Sequence, residues 1–437
     1  MAKFFIETSD SVFVNHAGLT FIANFLNSSS MFAKINRISH IKKGSGFISD
    51  YDVVKTFIAL FALGKTDFDD VEQYRQDRFF KKALNLKKVP SSVTLRQRLE
   101  TYDEQMWAVL RQINIELLTN YFSDETIEIE KKHYIILESD VTPMDNSESH
   151  KEGVAKTYKK CNGYAPMMSY AGRSGFMLNN ELRPGDSHSN CEGTKEYFSQ
   201  TIELAKKLSP HPLLSITDSG NDDKDLVLQI KNSPAELIIK RNLRRESHEK
   251  YIEHAKSYAE INGTVEIKYE GCAKYYSKWS RDIDNVSIPI TVIVTETTID
   301  PKGQVYLIPQ YDVEVYWNSL DLDPKLVEHL YHQHGTSEQY HSEFKSDLDL
   351  ERLPSGKFSS NYTIMLFGMI AFNLLRIAGK VLLATKKAPG RRGNRLRLRT
   401  VLQNIMYMAG QFIEHARRNI LRIYKGYTWT PAFVMLN

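Results

Sequence analysis

The chain has little cysteine, little net charge and no long apolar run. Three cysteines, Cys161, Cys191 and Cys272, in 437 residues do not make an even disulfide framework, which fits a reducing cytoplasm. His188 and Cys191 have ligand-like spacing, but no second pair accompanies them, so structural zinc is not expected. Met1-Ala-Lys-Phe-Phe-Ile-Glu lacks the sustained apolar core of a signal peptide. The longest apolar stretch, Thr363 to Leu375, is about 13 residues and is followed by Arg376 and Lys380. A membrane span needs about 20, so the stretch reads as a buried helix and no membrane is expected. A net charge of +4 is too small to announce a nucleic-acid partner, which must be read from local clusters. A content of 42% hydrophobic and 25% charged residues suits a folded chain, and its length suggests two to four domains.

What is present falls into blocks. Residues 1–130 read as a mostly helical region for DNA binding or dimerisation, with a weakly alternating stretch around Phe4 to Phe13 that could be a strand. Asp52 to Leu63 is an apolar helix ended by Gly64, a C-cap position. Asp67 or Thr66 can cap the next helix. Ser91 or Ser92 then caps a helix bearing Arg96 and Arg98. A helix-turn-helix reader and a plain packing bundle are both open there.

From residue 131 the pattern becomes strand-like. Tyr134–Asp140 is a strand. Tyr164–Tyr170 and Phe176–Leu182 flank the hairpin signal Gly172-Arg-Ser-Gly175. Thr194–Leu208 is an amphipathic helix, Leu213–Asp218 a strand, Asp222–Lys231 a helix and Ala235–Lys240 a strand. This order, up to residue 240, is β-β-β-α-β-α-β, in which the first and fourth strands become neighbours. Asp140 and Asp218 close those two strands. Residues 241–322 read as a β-rich insertion, with Val286–Thr297 and Gln304–Trp317 rich in β-formers. Trp279 and Trp317 lie within it, either stacking on an extruded base or packing in a core. Residues 323–385 resume the core with a helix that Asp323 caps and Pro324 starts. This segment carries Glu338, and Gly335 is its weak point.

The segment Tyr331-His-Gln-His-Gly-Thr-Ser-Glu338-Gln-Tyr-His-Ser-Glu-Phe-Lys345 resembles the tyrosine–arginine–glutamate–lysine signature of one branch of bacterial insertion-sequence DDE transposases. Tyr331, Glu338 and Lys345 match at the full spacing. His334 stands where the signature has arginine, so a charge that depends on pH near neutrality replaces a permanent one. Asp140-Val-Thr-Pro and Thr217-Asp218-Ser-Gly resemble the family's two strand motifs. The resemblance runs from about Tyr51 to the C-terminus. It implies an α/β fold with a ribonuclease-H-like mixed sheet flanked by helices. It implies that Asp140, Asp218 and Glu338 are catalytic and bind two Mg²⁺ ions, Mn²⁺ also being possible. Such an ion pair activates a nucleophile and stabilises a leaving oxygen. It implies end cleavage and strand transfer of DNA by a homodimer on paired element ends, in a bacterial cytoplasm. A ribonuclease-H-like nuclease without strand transfer, and a transposase-derived DNA-binding protein without catalysis, stay open.

Residues 386–437 read as a basic segment followed by a helix over Val401–Tyr424. Lys386 to Arg399 holds seven cations and no acid. Arg391, Arg392, Arg395 and Arg397 are therefore candidate phosphate contacts, along with Tyr331, His334 and Lys345. Glu138, Asp145, Asp222, Asp223 and Glu343 are the competing acids.

Overall fold

The computed structural model describes residues 5–39, 48–123, 125–333, 335, 337–390, 393, 395–416 and 418–436. The helical N-terminal block starts from clear local signals. Ser49 caps Asp50–Ala62, its hydroxyl accepting from the Asp52 amide while the Asp52 carboxylate accepts from the Ser49 amide. That reciprocal pair satisfies the helix's first orphan donors. The helix ends at Gly64, whose φ of +61° suits glycine at a helix end. Asp67 caps the following turn, Phe68–Tyr74.

The apolar stretch that began at Thr363 belongs to a longer helix, Phe358–Ala384. Its apolar window is 83% buried inside the protein, so the run is explained by core packing. Phe57 of the Asp50–Ala62 helix stacks on its Phe367 at 5.2 Å. On the other side Asn373 donates to the Met177 carbonyl and to Asn114, both at 2.7 Å, and accepts from the Met177 amide at 2.9 Å. This buried amide fixes the helix's position against the sheet, because an unmatched polar group there costs free energy.

The central sheet runs Phe176–Glu181, Met167–Ala171, Lys132–Val141, Leu213–Thr217, Ala235–Lys240. Numbered by sequence this is 3-2-1-4-5. Strand 2 is antiparallel to strand 1, and strands 1, 4 and 5 are parallel. This is the ribonuclease-H-like order expected above. The parallel strands are apolar on both faces, as a sheet covered on both sides requires.

The insertion does not sit apart from this sheet. Val305–Asn318 pairs antiparallel with Ala235–Lys240, Ile239 facing Trp317. Val286–Ile299, Cys272–Ile283 and Val265–Tyr269 follow outward. The insertion thus extends the central sheet. Besides these strands it contains a helix, Glu249–Asn262, which was not anticipated.

The helix expected over Val401–Tyr424 is not formed. Leu398–Val401 is helical and Leu402–Met406 is a π-turn. Gly410–His415 and Arg418–Ile423 then make a hairpin. Its first strand pairs with Val12–Val14, Val12 opposite Phe412. Leu421 and Ile423, two apart, share a strand face but not a helix face. A partner strand far away in sequence completes the sheet, and Gly410 weakens the helix locally.

Candidate active site

The Asp140 and Asp218 strands are parallel neighbours, with Glu138 opposite Ile216. Carried two residues on, that register sets Asp140 level with Asp218 at the carboxyl ends of the strands. Adjacent strands lie about 4.8 Å apart, so two carboxylates share one rim. Open α/β sheets bind ligands at such rims. The Asp140 side chain is 25% exposed, and its Oδ1 accepts from the Val141 amide at 2.7 Å. Asp218 Oδ1 accepts from the Gly220 amide at 3.0 Å and from Asn221 at 3.3 Å. Gly220 matters here: a Cβ on it would lie 2.7 Å from Ser189 Oγ and 3.0 Å from that same carboxylate oxygen.

Glu338 comes from elsewhere in the chain. The signature segment is not one helix. Pro324–Gln333 and Ser337–Ser342 are separate, and Glu343–Asp347 is a π-turn. The helix expected to start at Pro324 and carry Glu338 is therefore not continuous. Glu338 is exposed in the first turn of Ser337–Ser342. Tyr340 anchors that short helix on the hairpin turn. A Cβ on Gly175 would lie 2.2 Å from the Tyr340 ring, and Gly175 has φ +64°.

Tyr158 lies within electrostatic reach of all three acids. Burial raises its hydroxyl pKa to about 12, and the charges of Asp140, Asp218 and Glu338 add to the rise. One phenol therefore feels all three carboxylates. Their oxygens are not drawn into a single tight cluster. Among the described residues the group with ligand atoms within 4.8 Å of one another is Glu314, Glu328 and His332. That group is already neutralised: Lys240 donates to Glu314 at 2.5 Å, and Lys274 pairs with Glu328.

The sequence matches the family described as "Transposase DDE domain group 1" over residues 11–437. The chain belongs to this DDE transposase family. A comparison with curated proteins finds no match. Among solved structures, one similar chain is that of the "piggyBac transposase synaptic complex with hairpin DNA". It is 11% identical, with 90% of this chain and 80% of that chain covered, at a TM-score of 0.42.

In this DDE transposase the remaining signature residues are placed as follows. Tyr331 packs on Tyr316 at 4.9 Å, with Lys240 5.6 Å from its ring. Burial, then Asp218, Glu314 and Asp140, hold its hydroxyl well above the usual range. Lys345 donates to the Pro143 carbonyl at 2.9 Å and lies 3.5 Å from Glu351. It thereby ties the Glu338 segment to the Asp140-Val-Thr-Pro motif. His334, Arg391 and Arg392 lie outside the described residues.

The basic tail has the compensating acids that its own sequence lacks. Arg395 donates to Glu343 at 2.7 and 2.8 Å and to Gln339 at 3.0 Å. Arg397 grips Asp347 with two bonds, at 2.8 and 3.1 Å, and Arg399 reaches the same carboxylate at 3.2 Å. Glu343 and Arg376, each 1% exposed, form a further buried pair. Both acids follow Glu338 in sequence, so the tail is strapped onto the Glu338 segment. Glu338, Gln339, Ser342, Glu343, Arg395 and Arg397 line one cleft of about 450 Å³. The Arg397 side chain stays half exposed.

Four of the five competing acids, Glu343, Asp222, Asp223 and Asp145, have structural work. Asp222 accepts from Trp317 Nε1 at 2.7 Å, Asp223 caps a helix through the Leu226 amide, and Asp145 holds Ser147. Trp317 is buried, and Trp279 stacks on His254 at 4.4 Å. Arg96 and Arg98 pair with Asp69 and Asp50. Sequence reasoning missed His341, whose Nε2 lies 3.6 Å from Asp140 Oδ2. Its position three residues after Glu338, on the same helical side, was the available signal.

Proposed function

We propose that the protein is a metal-dependent DNA transposase that cuts the ends of a bacterial insertion sequence and joins them to target DNA. The observation that supports this best is the placing of Asp140 and Asp218 level at the ends of adjacent parallel strands, with Glu338 near enough for its charge to act on the same Tyr158 hydroxyl as theirs. The residues fit a pair of divalent ions. The strand-end carboxylates are partly solvent-exposed, Glu338 is exposed, and the nearby acids are held by other partners. Two Mg²⁺ ions, or Mn²⁺, held there supply charge stabilisation and an activated oxygen nucleophile. Asp140, Asp218 and Glu338 would hold those ions, and the ions would bind the scissile phosphate. Lys345 and Tyr331, from the same chain segment as Glu338, position the DNA end together with His334. Water attack yields a 3′-hydroxyl and a 5′-phosphate. The 3′-hydroxyl then attacks a target phosphodiester, one P–O bond forming as another breaks. Arg391, Arg392, Arg395 and Arg397 contact DNA backbone, and a homodimer assembles on paired ends.

The test is end cleavage and strand transfer on DNA carrying the element's terminal repeats, in Mg²⁺. Asp140→Ala, Asp218→Ala and Glu338→Ala should each lose on the order of 10³-fold or more in rate, because several kcal/mol of transition-state stabilisation go with a ligand. DNA binding should survive. Near-normal cleavage by any one variant removes that residue from the site. Cleavage by the unaltered protein without joining would make it a nuclease instead.

A further inference from the structure

The histidine beside Asp140 has an unused nitrogen. His341 is buried, its side chain 5% exposed. Its Nδ1 lies 3.2 Å from the Tyr170 hydroxyl. Its Nε2 is sealed from solvent and has no hydrogen-bond partner. That atom faces Asp140 Oδ2 at 3.6 Å, too far for a hydrogen bond. A buried nitrogen left unpaired is costly, and native structures have few.

The second ring nitrogen explains how such an atom can be useful. The Tyr170 hydroxyl also lies 3.5 Å from Met168 Sδ and can donate there. Its oxygen then accepts from Nδ1–H, and this tautomer leaves a lone pair on Nε2. A lone pair and a carboxylate oxygen then face one another across 3.6 Å. Two donors of that kind are brought together by a cation between them. Histidine ligands regularly have their other ring nitrogen held in this way.

We infer that His341 Nε2 is a ligand, together with Asp140, of one divalent ion in the site, and that it biases this ion towards Mn²⁺ and away from Mg²⁺ and Ca²⁺. This rests on the acid-triad reading above. The preference follows from ligand chemistry: imidazole suits transition metals, whereas Mg²⁺ and Ca²⁺ take oxygen.

The test uses the full chain without DNA, so that binding is read independently of catalysis. Mn²⁺ affinity is measured by electron paramagnetic resonance and Ca²⁺ affinity by calorimetry, with thermal melting as a check on folding. His341→Asn keeps a polar atom near the Nδ1 position and removes Nε2. It should weaken Mn²⁺ binding about 10-fold or more and leave Ca²⁺ binding within about 2-fold. His341→Gln places an amide oxygen near the Nε2 position, so it should keep Ca²⁺ binding while losing the Mn²⁺ preference. Asp140→Ala should weaken both metals. Unchanged Mn²⁺ affinity in folded His341→Asn and His341→Gln, with Asp140→Ala impaired, would overturn the assignment of His341 alone. Unchanged affinity in Asp140→Ala as well would overturn the acid site and this inference together. Equal losses of Mn²⁺ and Ca²⁺ affinity in both His341 variants would show that the histidine only positions Asp140.

Discussion

Removing the Glu343 carboxylate should damage the protein far more than removing a surface acid. Glu343 sits between Arg376 and Arg395, and both its own side chain and that of Arg376 are 1% exposed. Burial lowers the Arg376 pKa, and the Glu343 charge opposes that shift. Glu343→Ala leaves Arg376 as an unpaired cation in the core. Breaking a buried pair in this way costs about 3–5 kcal/mol, which is a large share of the roughly 5–15 kcal/mol of a typical native state. Arg395 adds little to the loss, because its side chain is 22% exposed and can turn to water. The double variant Glu343→Leu/Arg376→Leu removes both buried charges and should recover most of the stability. The assay is equilibrium urea unfolding followed by tryptophan fluorescence, with the slope compared between variants. A single-variant loss below about 1 kcal/mol, or a double variant as unstable as the single one, would refute the clamp.

Other outcomes can be checked with simpler substitutions. Gly175→Ala meets both a positive φ and the Tyr340 ring, so it should destabilise by more than about 2 kcal/mol and lower cleavage by shifting the Glu338 helix. Gly263→Ala, at φ +66° with nothing within 4 Å, should cost only about 1 kcal/mol. Equal losses in the two would remove the argument for Tyr340. Neutralising Lys386, Lys387, Arg391 and Arg392 should weaken binding to all DNA sequences alike and flatten the salt dependence by about one unit of slope per lost contact. Arg395→Gln should lower stability as well, and an unchanged salt slope in the first set would leave the segment a solvated loop. Tyr158 should titrate near pH 12 by ¹³C-tyrosine NMR and lower in Asp140→Asn or Glu338→Gln. Because its folded pKa is raised, the stability it contributes is lost as pH rises from about 10 to about 12. No change in either variant would mean that the acids do not act on this hydroxyl.

Much of the catalytic sheet was legible because its signals are local. Thr194–Leu208 and Ala235–Lys240 run in the structure as their periodicities predict. The pairing of the Asp140 and Asp218 strands followed from element order. What was not legible depended on distant partners. The C-terminal hairpin is set by Val12–Val14, and the insertion helix Glu249–Asn262 is set by the strands it covers. The tail arginines read as uncompensated because Glu343 and Asp347 lie some 50 residues away in sequence. His341 carries no motif of its own and acquires meaning only beside Asp140.

The pairing of Val12 with Phe412 has a consequence for biosynthesis. The two strands are separated by 400 residues, so the first leaves the ribosome long before its mate exists. At about 5–20 residues per second, that wait lasts roughly 20–80 s. Through this interval Val12–Val14 is an unsatisfied strand edge, the kind of surface that recruits foreign chains. Closure of the three-stranded sheet is therefore among the last steps of maturation. A chain whose synthesis stops before Gly410 keeps all three acids but cannot complete it.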